Sequence, residues 1–153
     1  AGKTNQQGIE MTYTVQLGQH LSLRNSESIQ NFRFGDYVSG TKNYAGNRLT
    51  GTSPYQHASL LQWQIHPRLL WNNQFLFTNF LYLNDANTAI LPSSRVWNSK
   101  ISYQRKHWEL WLTVENMTNE LYVSGPDLNA AGNRFYNASP GRYFQAGLKI
   151  TLN

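Results

Sequence analysis

The sequence predicts an all-β protein: an antiparallel up-and-down transmembrane β-barrel segment of about seven strands, with short periplasmic turns and long extracellular loops. Three observations support this prediction. Segments with a period of two recur along the 153-residue chain, the connections between them alternate between short and long, and aromatic residues reach 14%. A period of two is typical of a strand whose two faces have different surroundings. The last segment shows it clearly, with five apolar residues alternating with five others: Phe144, Ala146, Leu148, Ile150 and Leu152 against Tyr143, Gln145, Gly147, Lys149 and Thr151.

The first two predicted strands cover residues 8–17 and 21–34. In the first, apolar and polar residues alternate without a break. A tight turn at 18–20 leads into the second, where the apolar phase shifts between Leu23 and Phe32. An extra residue in one strand would produce such a shift, so we predict a β-bulge between these two positions.

Five further strands are predicted from alternation and from their content of β-branched and aromatic residues. Pro67 and Arg68 turn the third strand into the fourth, and residues 105–107 turn the fifth into the sixth. The predicted bounds are 55–66, 69–83, 94–104, 108–116 and 142–152.

The connections give the predicted sheet a direction. Three of them have only two or three residues, whereas those at 35–54, 84–93 and 117–141 are long and rich in Gly, Asn, Ser and Pro. Spanning barrels have short turns at one end and long loops at the other, whereas sandwiches mix loop lengths at both ends. Aromatic residues sort in the same way, with Trp63, Trp71, Tyr103 and Trp108 near the short turns and Phe34, Tyr55, Tyr82, Trp97 and Tyr143 near the long loops.

The alternation does not say which face of each strand points inward. We expect the apolar residues to point outward into hydrocarbon and their polar neighbours to line an aqueous bore. A soluble β-sandwich or lipocalin-like carrier, with its apolar residues inside, stays open as an alternative at this point.

Composition bounds the other classes. The chain is long enough for one domain, and no run approaches the roughly 20 apolar residues of a spanning helix. With no Cys, a disulfide framework and thiolate metal sites are excluded. The net charge is +5, but the 13 Lys and Arg are spread along the chain, so no nucleic-acid partner is predicted. Residues 1–5 do not read as a signal peptide, and residue 1 is therefore expected not to be the native start.

Motifs for catalysis or metal binding are weak. The four His residues lack the spacing of a metal site, and the segment starting at Asp85 lacks the later ligands of a calcium loop. No Gly-x-Ser-x-Gly motif occurs, and Ser, Asp and His follow no recognisable triad order. We predict no catalytic residue, no metal site and no cofactor, and hence a protein that is not an enzyme.

Five segments, in order and at plausible spacing, resemble the barrel of TonB-dependent outer-membrane receptors of the ferric siderophore type. Each is weak alone, and together they are fairly specific. The segments are Gly-Ile-Glu at 8–10, Gly-Asn-Arg-Leu-Thr-Gly-Thr-Ser-Pro at 46–54, Asn-Asp-Ala-Asn-Thr at 84–88, Val-Glu-Asn-Met-Thr-Asn-Glu-Leu-Tyr at 114–122 and Pro-Gly-Arg at 140–142.

The resemblance implies that residues 1–153 are the C-terminal part of a receptor barrel, with the plug and the N-terminal strands absent, because such barrels close 22 strands. It implies a bacterial outer-membrane location and active uptake of a ferric siderophore or similar nutrient; haem, cobalamin and carbohydrate stay open. The implied partners are outer-membrane lipid, that nutrient, and the TonB complex through the absent plug. The chain departs from the family at its end, Leu152-Asn153, where an aromatic residue is common.

Binding is expected at the loops. Basic and aromatic residues at a barrel mouth suit a flat anionic chelate through charge pairing and stacking. A free-standing small outer-membrane barrel with a structural or adhesive role is the alternative from another functional class. The predicted ligand contacts are Tyr44, Arg48, Tyr122, Arg134 and Tyr136.

Overall fold

A computed structural model describes residues 2–152 as one large antiparallel sheet with short elements in its loops. The all-β class predicted from the sequence is confirmed. Within that range, no helix has the length and apolar character needed to cross a bilayer. The strands are β1 Thr4–Gln16, β2 Leu21–Phe34, β3 Val38–Ser39, β4 Lys42–Asn43, β5 Tyr55–His66, β6 Leu69–Thr78, β7 Leu81–Tyr82, β8 Ile90–Leu91, β9 Ser94–Arg105, β10 Trp108–Glu115 and β11 Tyr143–Ile150, and a 3-10 turn covers Ala131–Asn133.

The long strands follow one another in the sheet as they do along the chain, in the order β1-β2-β5-β6-β9-β10-β11. Each long strand therefore pairs with its sequence neighbours, as in an up-and-down meander. The short turns all fall at one end of the sheet and the long loops at the other, because antiparallel strands joined in series place alternate connections at opposite ends.

The predicted bulge in β2 is wrong. The register between β1 and β2 runs without a break from Thr4 opposite Phe34 to Gln16 opposite Ser22. The apolar phase changes because Phe32 and Phe34 lie on the opposite face from Leu23, and Phe34 packs against the Tyr37 ring at 4.6 Å between centroids. The register irregularity described in the sheet lies instead in β5, between Gln64 and His66.

The fourth predicted strand was too long. Its sheet pairing ends at Thr78, and Leu81–Tyr82 forms a separate ribbon with Ile90–Leu91. The chain leaves the sheet after Thr78, where the Asn79 amide donates to the Tyr55 carbonyl. Leu83 thereby turns into the loop core instead of continuing the wall.

The two faces of the large sheet differ in shape. One cavity of about 460 Å³ is lined by side chains from β5, β6, β9, β10 and β11, among them Gln62, Gln74, Lys100 and Gln145. Side chains of five consecutive strands meet around one cavity only on the inside of a curved sheet. This face is called the concave face below, and the opposite face the convex face.

The convex face carries the apolar partners of the alternation, and they are open to the surroundings. Register places them on one side across neighbouring strands, for example Val15 beside Leu23 and Leu110 beside Leu148. The exposed fractions are 70% for Ile9, 52% for Met11, 42% for Val15, 57% for Leu148 and 61% for Ile150. These side chains do not form a dry centre, as they would in a soluble carrier.

Candidate functional site

The long loops at one end of the sheet are tied together by the carboxylate of Asp85. Its Oδ1 accepts hydrogen bonds from Thr50 Oγ1 at 2.5 Å and Asn129 Nδ2 at 3.1 Å, and its Oδ2 accepts one from the Tyr37 hydroxyl at 3.1 Å. The backbone takes part as well, because Asp85 N donates to Asn129 Oδ1 and its carbonyl accepts from Asn47 Nδ2. One aspartate therefore connects three loops that lie far apart in sequence.

The contact also changes the acidity of Tyr37. Its hydrogen bond to Asp85, together with the negative charge of that carboxylate, raises the pKa of the Tyr37 hydroxyl above its usual value. Because the folded-state pKa is the higher one, the stability that this contact contributes is complete below pH about 10 and is lost as the pH rises through the raised pKa. The hydrogen bond between Tyr37 and Asp85 therefore stabilises the loop cluster at neutral pH.

A small apolar core lies beside this polar centre. Leu83 is fully buried and Phe135 is 4% exposed, and both belong to one hydrophobic cluster with Leu81. Phe135 belongs to the last loop, so burial of its ring holds that loop against the 79–91 segment. The Asn129 amide, which donates to the Leu83 carbonyl at 2.8 Å, adds a backbone link between the same two segments.

The start of the last loop is shaped by Asn116. Its side chain is 1% exposed, its Oδ1 accepts from the Glu120 amide at 2.8 Å, and its Nδ2 donates to the Glu120 carbonyl at 2.9 Å. Its φ of 51° lies in the left-handed region, which Asn tolerates better than most residues. Asn116 thus satisfies the polar groups of a tight corner directly after β10.

The structure does not bring the five predicted ligand contacts together at one place. Tyr122 and Tyr136 line one groove of about 370 Å³, and the Tyr136 hydroxyl donates to the Ile90 carbonyl. Tyr44 packs against the Tyr37 ring at 5.7 Å, beside the Asp85 centre. Arg134 is exposed and follows the 3-10 turn directly.

Arg48, the fifth of these residues, has a different setting. Its backbone is fixed on both sides by Asn87, whose Oδ1 accepts from Arg48 N and whose Nδ2 donates to the Arg48 carbonyl. It forms an isolated antiparallel bridge with Arg33 of β2. Arg48 therefore extends the wall of the sheet beyond β5.

The last loop folds over the concave face. A second cavity, of about 420 Å³, is lined both by concave-face residues such as Gln56 and Leu76 and by the loop residues Tyr122, Pro126 and Leu128. The loop end of the sheet is thus a partly covered mouth with aromatic, amide and cationic side chains around it.

Sequence reasoning missed a polar network on the convex face. His57 Nδ1 lies 2.7 Å from Glu27 Oε1, and His57 Nε2 lies 2.7 Å from Ser59 Oγ. The Tyr55 hydroxyl donates to Glu27 Oε2 at 2.5 Å, and Ser59 Oγ donates to Asn25 Oδ1 at 2.5 Å. The available signal was polar residues in the apolar phase of two strands, but only register reveals that they are neighbours.

The arrangement of Ser59, His57 and Glu27 has the spacing of a hydrolytic triad, yet it reads as a closed structural network. The Ser59 hydroxyl donates its one hydrogen to Asn25 Oδ1, so that hydrogen is not directed at His57 as a catalytic base would require. A network with every member satisfied is the form in which polar groups are tolerated on an apolar face. Within residues 2–152, moreover, no three His, Asp or Glu side chains converge on a metal position.

The comparisons with known proteins bear on the fold. No family model matches the chain. The siderophore receptor PiuA from Acinetobacter baumannii matches 97% of this chain with a TM-score of 0.83 at 15% identity. The matched part makes up 22% of that receptor. The ferric yersiniabactin uptake receptor FyuA from Yersinia pestis matches 98% with a TM-score of 0.82 at 17% identity, which is 24% of its length.

The ferric citrate transporter FecA gives a similar result, with a TM-score of 0.82 over 97% of this chain, 17% identity and 24% of the transporter covered. The chain thus spans less than a quarter of the length of these solved structures. They are transport receptors, not enzymes. The sheet has the fold of a segment of their barrels.

Proposed function

We propose that the chain forms part of the barrel wall and the external mouth of a bacterial outer-membrane receptor that imports a ferric siderophore or a similar nutrient. The observation that carries the proposal is the inverted polarity of the sheet, with exposed apolar residues on the convex face and polar residues around cavities on the concave face. Such a wall suits lipid outside and water inside. The likeness to siderophore receptors over nearly the whole chain supports the same conclusion.

In this proposal the receptor is of the TonB-dependent type. Residues 1–153 are the C-terminal part of its barrel, and the plug that contacts the TonB complex lies outside them. Nutrient release would then depend on that plug, whereas the loops of this chain would contribute to capture at the mouth.

The proposed capture surface uses the loop residues predicted from the sequence. Tyr122 and Tyr136 offer two rings at one groove, and Arg134 is an exposed cation on the same loop. Stacking on the rings and pairing with the guanidinium suit a flat anionic iron chelate. Tyr44 would contribute from the neighbouring loop.

The orientation of the wall is tested by placing a charge on either face. Leu112 lies on the convex face and is 47% exposed, whereas the next residue, Thr113, lines the 460 Å³ cavity on the concave face. If the convex face meets hydrocarbon, Leu112→Arg should lower the folding stability of the receptor in the membrane by about 2–4 kcal/mol. Thr113→Arg should be tolerated, because its side chain points into the aqueous cavity. Folded receptor in outer-membrane fractions, measured by heat-modifiable gel mobility, separates the two variants. Equal yields of both would contradict the proposal.

The capture surface is tested separately by ligand binding to the full-length receptor. Arg134→Ala should weaken binding of an anionic ferric chelate by about tenfold, because a charge-assisted contact is lost. Lys106→Ala removes the same charge at the short-turn end and serves as the control. Unchanged affinity of the Arg134 variant across catecholate, hydroxamate and citrate chelates would remove this residue from the proposed capture surface.

A further inference from the structure

Two arginines face each other on the convex side of the wall, at its loop end. The Phe34 amide donates to the Asn47 carbonyl, and the Leu49 amide donates to the Phe32 carbonyl, both near 3.0 Å. These bonds flank Arg33 and Arg48, which makes them a non-hydrogen-bonded antiparallel pair. In such pairs the Cα atoms are about 4.5 Å apart and the side chains leave the sheet on the same face.

The shared face is the convex one. Arg33 lies in the same phase of β2 as Ile29, whose register partner on β1 is Ile9. The Arg33 side chain follows this face, since its Nε donates to Asn31 Oδ1 at 3.0 Å and one terminal nitrogen donates to the Gly46 carbonyl at 2.8 Å. No hydrogen bond is formed by the Arg48 guanidinium to any residue between 2 and 152.

The charges of this pair are not compensated by the protein. Like charges directly opposite each other destabilise a pair of strands. The one ion pair described between residues 2 and 152 joins Glu27 to His57. Glu27 is also the one acidic residue in the convex phase of the seven long strands, because Glu10, Glu109 and Glu115 lie in the concave phase. An anion from outside the chain is therefore the missing partner of Arg33 and Arg48.

The height of the pair indicates where that anion comes from. The aromatic residues Tyr55 and Phe77, with Arg95 over the Phe77 ring at 5.4 Å, mark the loop-end border of the apolar surface. Arg33 lies four residues beyond Ile29, the register partner of Tyr55. Four residues rise roughly 13 Å along a strand, and about 9 Å along the membrane normal at the usual tilt. A backbone position at that height lies at the outer edge of the headgroup layer, which adds about 5–8 Å to each side of the hydrocarbon.

We propose that Arg33 and Arg48 together bind the phosphate of a lipid headgroup in the outer leaflet. Two guanidinium groups on one face can take a phosphate between them, since each offers paired N–H donors that match phosphate oxygens. The bound phosphate removes the repulsion between the arginines and holds the wall at a defined depth. This inference rests on the membrane orientation of the proposed function and adds to it a specific site for the lipid phosphate.

The test uses the purified full-length receptor and native mass spectrometry. The probes are lipid A carrying two phosphates and the same lipid with its phosphates removed. The Arg33→Gln/Arg48→Gln variant should bind the phosphorylated lipid about tenfold more weakly than the wild type, because two charge-assisted contacts are lost. The control variant, Arg24→Gln/Lys149→Gln, removes the same charge from the concave face and should bind like the wild type.

The outcomes separate the inference from its alternatives. Equal loss of binding in both double variants would indicate a general charge effect and overturn the site, as would equal binding of the two lipids by the wild type. Displacement of the lipid by millimolar inorganic phosphate would assign the pair to free phosphate and would also overturn it. The experiment measures lipid binding and not iron uptake, so its result can be interpreted even if the proposed nutrient transport is wrong. Heat-modifiable gel mobility confirms that each variant is folded.

Discussion

At the scale of single residues, the last loop depends on Asn116. Its backbone occupies a left-handed conformation, and its side chain carries hydrogen bonds to both backbone groups of Glu120. Two separate properties of one residue therefore determine the corner after β10. The two can be distinguished because glycine retains the first property and not the second.

We expect Asn116→Ala to destabilise the corner by about 2–4 kcal/mol, from two lost hydrogen bonds and a strained φ. Asn116→Gly should cost about half of that, because its backbone adopts the conformation freely. Hydrogen exchange of the amides between 116 and 122 in the full-length receptor measures both. Equal protection in the two variants would show that the left-handed backbone conformation contributes nothing, and wild-type protection in Asn116→Gly would show that the side-chain bonds do not matter.

The convex polar network gives a second expectation at this scale. Glu27→Gln removes the charge that pairs with His57 while leaving a side chain of the same size. Since the partner then sits on an apolar face without its carboxylate, the unfolding midpoint of the folded receptor should fall. Glu10→Gln, a like change in the concave phase of β1, is the matched control and should have little effect. A larger loss for the control would contradict this account of the network.

At the scale of elements, the packing between β10 and β11 depends on Gly147, which has no side chain. Gly147 is the register partner of Trp111, and a Cβ built on Gly147 would overlap the indole ring. The ring also lies 5.4 Å from the Lys100 ammonium, so it lies over the concave face between two strands. The Trp111 indole can therefore pack on the backbone of Gly147 only because that residue lacks a Cβ.

We expect Gly147→Ala to destabilise the β10–β11 pair by about 1–3 kcal/mol through overpacking. Gly125→Ala is the control, since nothing lies within 4 Å of a Cβ at that position. The guanidinium unfolding midpoint of the detergent-folded receptor measures the difference. Adding Trp111→Leu to Gly147→Ala should recover part of the loss, and a failure to do so would place its cause elsewhere.

At the scale of the whole molecule, the sheet is open. Within the described range, β1 pairs with β2 alone and β11 with β10 alone. Each of these strands presents a row of unpaired backbone groups to its surroundings. Unpaired edges of long, apolar strands recruit other strands.

We expect the separate polypeptide 1–153 to associate through these edges in detergent, whereas the full-length receptor stays monomeric. Sedimentation velocity in the same detergent compares the two. A monodisperse, folded monomer of the isolated chain would mean that β1 and β11 find partners within it, and the open-sheet description would then be wrong for the free chain.

Strand positions were readable from the sequence because the period of two and the turn residues are local signals. The predicted bounds of β2 and β5 match the structure, and those of β9 and β10 differ by one residue at one end. Predictions failed where apolar residues pack at the loop end and do not form part of the apolar convex face. Phe32 suggested a bulge, and Leu83 suggested a longer strand, because both are apolar residues that belong to the loop end.

The candidate site was less accessible to such reasoning. The loops, their cationic and aromatic residues and the lack of a catalytic motif were all visible in the sequence. The role of Asp85 was not, because its partners Tyr37 and Asn129 lie 48 and 44 positions away. The roles of the five predicted ligand contacts stay predictions.

By itself, the sequence determined the period, the turns and hence the meander, since these depend on neighbours along the chain. The tertiary structure alone decided which face is convex, which loop residues meet at Asp85, and that Glu27 meets His57 while Arg33 meets Arg48. The physical reason is register: cross-strand pairing brings together side chains that are distant in sequence, and only the complete set of backbone hydrogen bonds selects which ones face each other.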